Sequence, residues 1–461
     1  MTPVDLLNKP NLDTATPEET PAVTPKTQAT KKVGFVHLGC PKNLVDTETM
    51  LGILGRDNHE IVGDESEADI VLVNTCAFIE SAQRESVRAL ANLAEQGKEL
   101  VIAGCLAQKF QGELLELFPE ARAVVGIDNV GQIGDIMKRV EQGERVLAMQ
   151  QDPNYILEED AVRRHITVGS YTYLKIAEGC DYRCSFCIIP SMRGAFRSRS
   201  LENIVENARE MAQRGVTEIV LVGQDSTSYG KDIGTSLPAL LRALNEVEEI
   251  TWIRFMYAYP NLVSDDLLEA IRDCDKVVKY LDCPLQHSHP DILTRMRRPV
   301  TDLVEFAERA RAIIPDVKLR TSFIVGFPGE TEAHFEHLRD IIQQVRFDRL
   351  GVFEYSDVDT AHSKTLDGKV PKNVIKKRRG ELMALQQGIA FEENQALVGQ
   401  TIPVLIDMVN EYGLGIGRTQ WDAPEVDNTV QVKGSVVPGD IVPVQITHVT
   451  PYDLKGIVAA L

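Results

Sequence analysis

Short apolar runs alternate with amphipathic stretches along the chain from about residue 31 to residue 143. The apolar runs lie at 33–38, 69–75, 99–104 and 123–126, and the stretches between them repeat apolar residues at helical spacing. Buried strands that alternate with amphipathic helices are typical of a parallel sheet covered by helices on both faces. We therefore predict an N-terminal α/β domain with a parallel sheet at 31–143.

A second alternating series follows a polar stretch with little periodicity, which we interpret as a linker at 144–170. Six candidate strands lie at 172–177, 218–223, 252–257, 277–282, 319–326 and 349–355, with helical segments between them. Six such units in about 200 residues predict a partial (βα) barrel, short of the eight units of a complete TIM barrel. Strand boundaries inferred from one sequence shift by several residues, so a complete barrel stays open. We place this domain at 171–395.

The last segment, 396–461, has a different character. Its short β-rich pieces are separated by Gly, Pro, Asn and Asp, which predicts a small antiparallel β-barrel of the oligonucleotide-binding type. The segment carries seven acidic and three basic side chains, a net charge of −4. An RNA-binding barrel is expected to be basic, so this fold does not by itself indicate RNA binding.

The chain as a whole is acidic and shows no export or membrane signal. Residues 1–30 are rich in Pro and Thr and lack the apolar core of a signal peptide, which predicts a disordered tail. No apolar run reaches the roughly 18 residues that span a bilayer. Asp and Glu number 68 against 49 Lys and Arg, a net charge of −19. This balance disfavours a broad nucleic-acid-binding face. Many cytosolic proteins are acidic, however, so the charge alone does not identify a partner. We expect a cytoplasmic protein with no membrane association.

Three of the eight cysteines stand at the ends of predicted strands of the N-terminal sheet. Cys40 follows the first strand, Cys76 ends the second and Cys105 ends the third. The carboxyl ends of parallel strands share one edge of a sheet, so these thiols are expected to converge there. The alternative is that each is a small buried hydrophobic residue.

Three further cysteines lie close together after the first strand of the predicted barrel. Cys180, Cys184 and Cys187 have the spacing C-x3-C-x2-C on the face where barrel active sites form. Structural zinc takes four Cys or His ligands, and no His lies within this loop. Thiolates equally suit an iron–sulfur cluster, and a cluster held by three cysteines leaves one iron open to a small molecule.

The cysteine loop, with Phe186 before its third Cys, resembles the radical S-adenosylmethionine superfamily. An N-terminal domain with three separated cysteines, a radical domain and a small barrel (the TRAM domain) together resemble the methylthiotransferases over 31–461. The resemblance implies two [4Fe-4S] clusters. One would be held by Cys40, Cys76 and Cys105, and the other, with S-adenosylmethionine on its open iron, by the loop cysteines.

Within that family, the amino-acid sequences of several segments resemble those of the group that modifies an aspartate of small-subunit ribosomal protein S twelve. These segments are "GCPKNLVD" (39–46), "IAEGCDYRCSFCIIPSMRG" (176–194), "LQHSHPDILTRMRRP" (285–299), "DAPEVD" (422–427) and "YDLKG" (452–456). The resemblance implies methylthiolation of the aspartate β-carbon, with S-adenosylmethionine as both methyl donor and radical source. It also implies an electron donor such as flavodoxin or ferredoxin, and we expect a monomer.

Two other functions stay open. An enzyme of the tRNA-modifying MiaB-like group would methylthiolate an adenosine, but the acidic balance makes tRNA an unfavourable partner. A non-enzymatic scaffold stabilised by metal would bind a partner through its barrel and would not cleave S-adenosylmethionine.

The resemblance extends, with less specificity, to other residues at strand ends. The candidates for S-adenosylmethionine binding are Phe186, Gln224, Asp225, Arg320, Ser322, Gly326 and Glu330. The candidates for substrate binding are Arg193 and Arg197. Each has an ordinary structural alternative, since βα loops commonly carry Gly and Asp and arginines commonly lie at solvated rims.

Overall fold

The computed structural model describes residues 31–150, 153–156, 163–167 and 169–459. The tail expected at 1–30 lies outside the described residues, as does part of the expected linker. The chain forms two compact units. Among the described residues, the first unit comprises those up to Ile166 together with Glu178–Arg197 and Ser356–Lys364. The second unit comprises the described residues of Thr167–Ala177, Ser198–Tyr355 and those from Thr365 onward.

The first unit is built on a six-stranded sheet in which every pairing is parallel. Its strands are β1 (Lys32–His37), β2 (Glu60–Ile61), β3 (Ile70–Thr75), β4 (Glu99–Gly104), β5 (Ala121–Val125) and β6 (Val146–Ala148), in the order β2-β1-β3-β4-β5-β6. This confirms the predicted parallel-sheet fold of the N-terminal part.

Strand β6 corrects the interpretation of residues 144–170 as a linker. Val146–Ala148 pairs in parallel with Ala123–Val125 and forms the edge of the sheet. The three-residue apolar run is too short to show a strand period, and only its pairing with β5 makes it a strand. The two-residue strand β2 at the opposite edge gave no sequence signal for the same reason.

Helices cover both faces of this sheet. They are α1 (Pro41–Arg56), α2 (Glu80–Glu95), α3 (Cys105–Phe110), α4 (Glu113–Leu117), α5 (Ile133–Glu141) and α6 (Ile189–Arg193). Alternate residues of β3 face opposite cores: Leu72 packs with Met50 and Leu54 of α1, whereas Val73 packs with Leu90 and the rest of the α2 face. Because both faces are buried, the strands are apolar throughout, and this was the pattern visible in the sequence.

The second unit contains six parallel strands in two halves. Two short strands, β8 (Ala177–Glu178) and β9 (Arg197–Ser198), flank the cysteine loop in sequence. The barrel strands are β7 (Tyr171–Lys175), β10 (Glu218–Val222), β11 (Trp252–Phe255), β12 (Tyr280–Asp282), β13 (Lys318–Val325) and β14 (Arg349–Glu354). The halves β11-β10-β7 and β12-β13-β14 meet through a parallel bridge between Ile253 and Val277. The six strands confirm a partial barrel.

Helices follow the barrel strands in alternation. They are α7 (Leu201–Gln213), α8 (Leu237–Asn245), α9 (Asp265–Asp273), α10 (Pro290–Arg295), α11 (Leu303–Ile313), α12 (Glu332–Val345) and the closing α13 (Lys372–Gln395). Short 3-10 turns lie at Glu65–Glu67, Ile127–Gln132, Ser226–Ser228, Pro260–Leu262 and His362–Thr365. Ser200 accepts a hydrogen bond from the Asn203 amide and so begins α7, as the sequence predicted. None of the described helices has the length and apolarity needed to cross a membrane.

The C-terminal strands close into a barrel. They are β15 (Thr401–Val409), β16 (Gly415–Thr419), β17 (Thr429–Lys433), β18 (Ile441–Val449) and β19 (Asp453–Val458), in the order β15-β16-β17-β19-β18. Four of the five pairings are antiparallel, including the pairing of β15 with β18 that closes the ring. The fifth, between β17 and β19, is parallel. The expected small barrel is confirmed with that one departure from a purely antiparallel arrangement.

Buried ion pairs attach the C-terminal barrel to the first residues of two parallel strands within the second unit. Glu218, the first residue of β10, accepts from Arg254 at 2.7 Å and from Arg418 at 2.7 Å. Arg349, the first residue of β14, donates to Asp422 at 2.6 Å. Burial opposes ionisation of Glu218, but Arg254 and Arg418 outweigh it and hold the pKa of this carboxyl below its ordinary value.

Replacing Glu218 by Gln is expected to lower the free energy of unfolding by about 3–5 kcal/mol, because the buried Arg254 would lose its carboxylate partner and the buried Arg418 would keep only Asp407. Urea unfolding of the purified protein measures this change. The matched control is Asp266→Asn, which breaks the exposed Arg242–Asp266 pair and is expected to cost no more than about 1 kcal/mol. Equal effects of the two substitutions would contradict the structural role of Glu218.

Candidate metal centre

Three cysteines follow the carboxyl ends of the adjacent strands β1, β3 and β4. Cys40 caps α1, Cys76 comes directly after β3, and Cys105 is the first residue of α3. The parallel register pairs His37 with Asn74 and Thr75 with Gly104, so all three chain segments leave the sheet at the same level. The structure therefore brings together three thiols that lie as many as 65 positions apart in the sequence.

Close packing at Gly39 shows how near Cys40 lies to Cys76. Gly39 has φ +109°, and a Cβ added there would lie 3.0 Å from the Cys76 Cβ and 3.3 Å from its Sγ. A larger residue at this position would push against the sulfur. Glycine is thus required both by the backbone conformation and by the approach of the two cysteine segments.

The thiols of this triad have divergent electrostatics. Burial, followed by the neighbouring Cys105 and Cys40 thiols, raises the pKa of Cys76 to about 12. Burial also raises the pKa of Cys105. For Cys40 burial is outweighed by Lys42, Arg193 and backbone amides, which together lower the pKa of its thiol. Cys40 is therefore the readiest thiolate of the three, and a cationic metal group would favour ionisation of the other two.

The second triad lies in a tightly closed loop of the same unit. The Cys180 amide donates to the Gly194 carbonyl at 3.2 Å, and the Cys187 amide donates to the Cys184 carbonyl at 3.0 Å. The Ile189 amide donates to the Cys187 sulfur at 3.4 Å, an arrangement that favours a thiolate ligand. A Cβ on Gly179 would lie 2.0 Å from the Ala195 carbonyl oxygen, so the turn into Cys180 excludes any larger residue.

The segment after the second triad packs onto the helix that begins at Cys105. Ile188 and Met192 are buried in one hydrophobic core with Cys105, Leu106 and Ala107. This packing explains why the loop at Glu178–Arg197 belongs to the first unit although the sequence around it builds the barrel. Both cysteine triads are consequently parts of one compact unit.

The donor set fits iron–sulfur clusters better than a single metal ion. Cysteines bound to one zinc at about 2.3 Å have sulfurs roughly 4 Å apart. Within the described part of the chain, a group of three ligand atoms that all lie within 4.8 Å of one another is formed by His289, Asp291 and His334. The sulfurs of neither cysteine triad lie that close together. A cluster with four irons binds its cysteines on different irons and holds them further apart. Three thiolates per site also match a cluster that keeps one iron for a small molecule.

Arg193, a sequence candidate for substrate binding, lies inside the first unit. It is 1% exposed and donates to Glu178 at 2.8 Å, to Asn43 at 2.7 Å and to Asp46 at 3.2 Å. Burial alone would lower its pKa, but Glu178 and Asp46 outweigh it and raise the pKa well above the ordinary value, so the guanidinium stays charged. Its role in substrate binding stays a prediction, and its observed partners are protein groups.

Arg197 and Phe186 are both less buried than Arg193. Arg197 donates to the Tyr155 carbonyl at 2.7 Å and to the Ala195 carbonyl at 2.7 Å, which ties the end of the cysteine loop to residues of the same unit. Phe186, which lies between Cys184 and Cys187 in the sequence, is half-buried. Their roles toward substrate and S-adenosylmethionine stay predictions.

The remaining candidates for S-adenosylmethionine binding lie in the second unit. The Asp225 carboxylate accepts from the Thr227 amide at 3.0 Å and from its hydroxyl at 2.5 Å, and Gln224 precedes it after β10. Arg320 donates to Asp282 at 2.7 Å and to Asp427 at 3.2 Å. These contacts are structural, and ligand contacts by these residues stay predictions.

The other three candidates lie on the fifth barrel strand, β13, and in the loop that follows it. Ser322 lies within β13, and the Gly326 amide donates to the Glu330 carboxylate at 2.9 Å. Gly326 has φ +79°, and a Cβ there would lie 2.3 Å from Ile375 of α13, so packing against this helix already requires glycine. Glu330 also accepts from Arg378 at 2.6 Å. Their contact with S-adenosylmethionine stays a prediction.

Sequence reasoning missed Asn43 as a residue of the site. Its amide group donates to the Thr75 carbonyl at 3.0 Å and to the Leu38 carbonyl at 3.3 Å, while its oxygen accepts from Arg193. The Cys105 sulfur lies 3.8 Å from the same oxygen. Asn43 thus ties together the segments that carry all three cysteines of the first triad. The only sequence signal for Asn43 was its position within "GCPKNLVD". The neighbouring residues of that motif do not indicate which groups it bonds.

Three family models match segments of the chain. Residues 32–126 match "Uncharacterized protein family UPF0004", residues 174–342 match the radical SAM superfamily, and residues 398–458 match the TRAM domain. These segments lie within the domains expected at 31–143, 171–395 and 396–461, whose boundaries stay predictions.

Curated relatives match nearly the whole chain. It is 49% identical over 451 residues to the ribosomal protein uS12 methylthiotransferase RimO of Synechococcus sp. (strain JA-2-3B'a(2-13)), covering 96% of this chain and 95% of the relative. It is 50% identical over 439 residues to the RimO protein of Prochlorococcus marinus (strain MIT 9303), covering 93% of each chain. The RimO protein of Thermosynechococcus vestitus is 49% identical, covering 93% of this chain and 97% of the relative.

Solved structures show the fold at low sequence identity. The radical S-adenosylmethionine methyltransferase TsrM from Kitasatospora setae, with tryptophan and a cofactor analogue bound, matches with a TM-score of 0.52 at 14% identity. The match covers 70% of this chain and 73% of that one. It supports the barrel architecture alone.

Proposed function

The chain belongs to the RimO family of ribosomal protein uS12 methylthiotransferases, and we propose that it methylthiolates the β-carbon of an aspartate in uS12. The observation that carries this proposal is the pair of three-cysteine sites in one compact unit. A generic radical enzyme needs only the compact loop triad. Insertion of sulfur requires a second cluster, and the second site has the three thiolates that would hold it.

The six cysteines would hold two [4Fe-4S] clusters, Cys40, Cys76 and Cys105 the first and Cys180, Cys184 and Cys187 the second. When bound, the clusters and S-adenosylmethionine supply the electron, the radical, the sulfur and the methyl group of the reaction. The protein's part is to position and shield these groups. Cys184 and Cys105 are buried, which shields their sulfurs from water, and the tight turns at Gly179 and Gly39 fix the positions of the neighbouring cysteines.

The proposed substrate agrees with the charge of the chain. With a net charge of −19, the protein attracts a basic partner and repels a polyanion. Ribosomal proteins are typically basic, whereas tRNA is a polyanion. The partner would therefore be uS12, free or within the small ribosomal subunit, and a tRNA substrate is disfavoured.

Further features of this proposal follow from the chemistry. Reduction of the second cluster requires a low-potential electron donor such as flavodoxin or ferredoxin. We assign the reaction to the cytoplasm, where the small ribosomal subunit is found, and to a monomeric enzyme.

The direct test compares substrates for the anaerobically reconstituted enzyme with dithionite as reductant. We expect mass spectrometry to find one methylthio group on the aspartate of uS12 and none on unmodified tRNA. A uS12 variant with that aspartate replaced by alanine is the control. Modification of tRNA instead would assign the chain to the MiaB-like activity, and a protein that never cleaves S-adenosylmethionine would be a metal-stabilised scaffold.

A further inference from the structure

Arg193 connects the two cysteine sites within the first unit. It closes α6, six positions after Cys187, and its guanidinium reaches Glu178, two positions before Cys180. The same guanidinium reaches Asn43 and Asp46 on α1, the helix capped by Cys40. One buried side chain thus bonds both ends of the loop around the second triad to the helix that begins at the first.

Asn43 extends this connection to the other two cysteines of the first triad. Its amide nitrogen bonds the carbonyl of Thr75, the residue before Cys76, and its oxygen lies 3.8 Å from the Cys105 sulfur. Asn74 in turn donates to the Asn43 carbonyl at 2.8 Å and to Thr47 at 2.9 Å. Arg193 therefore bonds to a side chain that is itself fixed from several directions.

We propose that Arg193 is a positioning residue that fixes the two cysteine sites relative to one another and places a positive charge beside the first cluster. This inference rests on the two-cluster function proposed above. It differs from the predicted contact with substrate, because the partners of Arg193 are Glu178, Asn43 and Asp46.

The geometry suits arginine and no other residue. The planar guanidinium presents donors in several directions at once, and here it meets partners on two separate chain segments. Lysine would keep the charge but concentrate its donors at one point. A neutral side chain would leave Glu178 and Asp46 buried with a lost partner.

The charge has a separate consequence for the first cluster. A cluster bound by three thiolates is net negative, and reduction makes it more so. A nearby buried cation stabilises the reduced form most, since charge and hydrogen bonds around a cluster set its potential. Loss of the Arg193 charge is therefore expected to shift the potential of the first cluster to a more negative value.

The test uses Arg193→Gln and Arg193→Lys, with Arg163→Gln as the matched control. Arg163 is also buried and pairs with a carboxylate of the same helix α1, Glu48. Each substitution is made in the full chain and again together with Cys184→Ala. The second series isolates the first cluster for redox titration followed by electron paramagnetic resonance.

We expect Arg193→Gln to shift the potential of the first cluster to more negative values. We also expect it to raise the ratio of 5′-deoxyadenosine to methylthiolated product about tenfold, as for other partners that orient metal ligands. Arg193→Lys is expected to keep the potential near that of the parent and still to raise the ratio. Arg163→Gln is expected to change neither quantity, even if it lowers stability.

The outcomes separate this inference from the function on which it rests. A parent protein that binds no cluster at the first triad would overturn the proposed function. A parent with both clusters, together with an Arg193→Gln variant of unchanged potential and ratio, would overturn only the role of Arg193. Should Arg193→Gln fail to fold, a Lys variant with the parent's ratio would overturn the positioning role, and a raised ratio would support it.

Discussion

Replacing Cys184 by alanine is expected to abolish cleavage of S-adenosylmethionine and to reduce bound iron from about eight to about four per chain. Cys184 is the buried member of the loop triad, and its carbonyl also accepts from the Cys187 amide. Two remaining thiolates leave half of the irons of a four-iron cluster without a protein ligand. The first triad shares no ligand with this loop, so its cluster is expected to persist.

The measurement is anaerobic reconstitution followed by iron and sulfide quantification and by assay of 5′-deoxyadenosine. Cys274→Ala is the matched control, since Cys274 is equally buried but lies at the end of α9 in the second unit. It is expected to keep both clusters and full cleavage. A Cys184→Ala protein that still forms 5′-deoxyadenosine would show that the loop does not bind the reactive cluster.

The parts of the fold that could be predicted are those whose signal is local. Strands buried on both faces appear as apolar runs, so β1, β3, β4 and β5 were visible in the sequence. The position of a cysteine after each of three strands followed directly from that pattern. Strand β6 could not be found, because three residues carry no period and its identity depends on pairing with Ala123–Val125.

The parts that could not be predicted depend on distant partners. Nothing around Arg193 indicates that it meets residues 147 and 150 positions away. An isolated arginine after a cysteine loop is equally consistent with a solvated rim, a substrate contact or a buried ion pair. The same holds for Arg320, whose partner Asp427 belongs to the C-terminal barrel. Long-range side-chain pairing is decided by the fold, and composition and periodicity do not contain it.

The assignment of the cysteine loop to the first unit changes how the two sites are understood. The sequence places the loop within the barrel domain, whereas Ile188 and Met192 pack in the core beside Cys105. The loop is consequently supported by the domain that carries the first triad. A substitution in that core, and not only in the loop, is therefore able to disturb the second triad.

Replacing Cys105 by alanine is expected to separate radical formation from sulfur insertion. The loop triad stays intact, so the variant should still cleave S-adenosylmethionine while methylthiolation of uS12 falls below detection. Cys105 begins α3 and is buried beside Asn43, where alanine fits without displacing its neighbours. Iron content is expected to fall by about half, as for Cys184→Ala, but with the opposite cluster lost.

The paired comparison of Cys105→Ala with Cys184→Ala makes the two-site hypothesis testable on one assay. Each variant binds about four irons, yet only Cys105→Ala should form 5′-deoxyadenosine. Cys283→Ala, a buried thiol outside both triads, is the control that should retain product formation. A Cys105→Ala variant that methylthiolates uS12 at the parent's rate would contradict the assignment of the first triad, because one of its three thiolates would then be dispensable for the reaction.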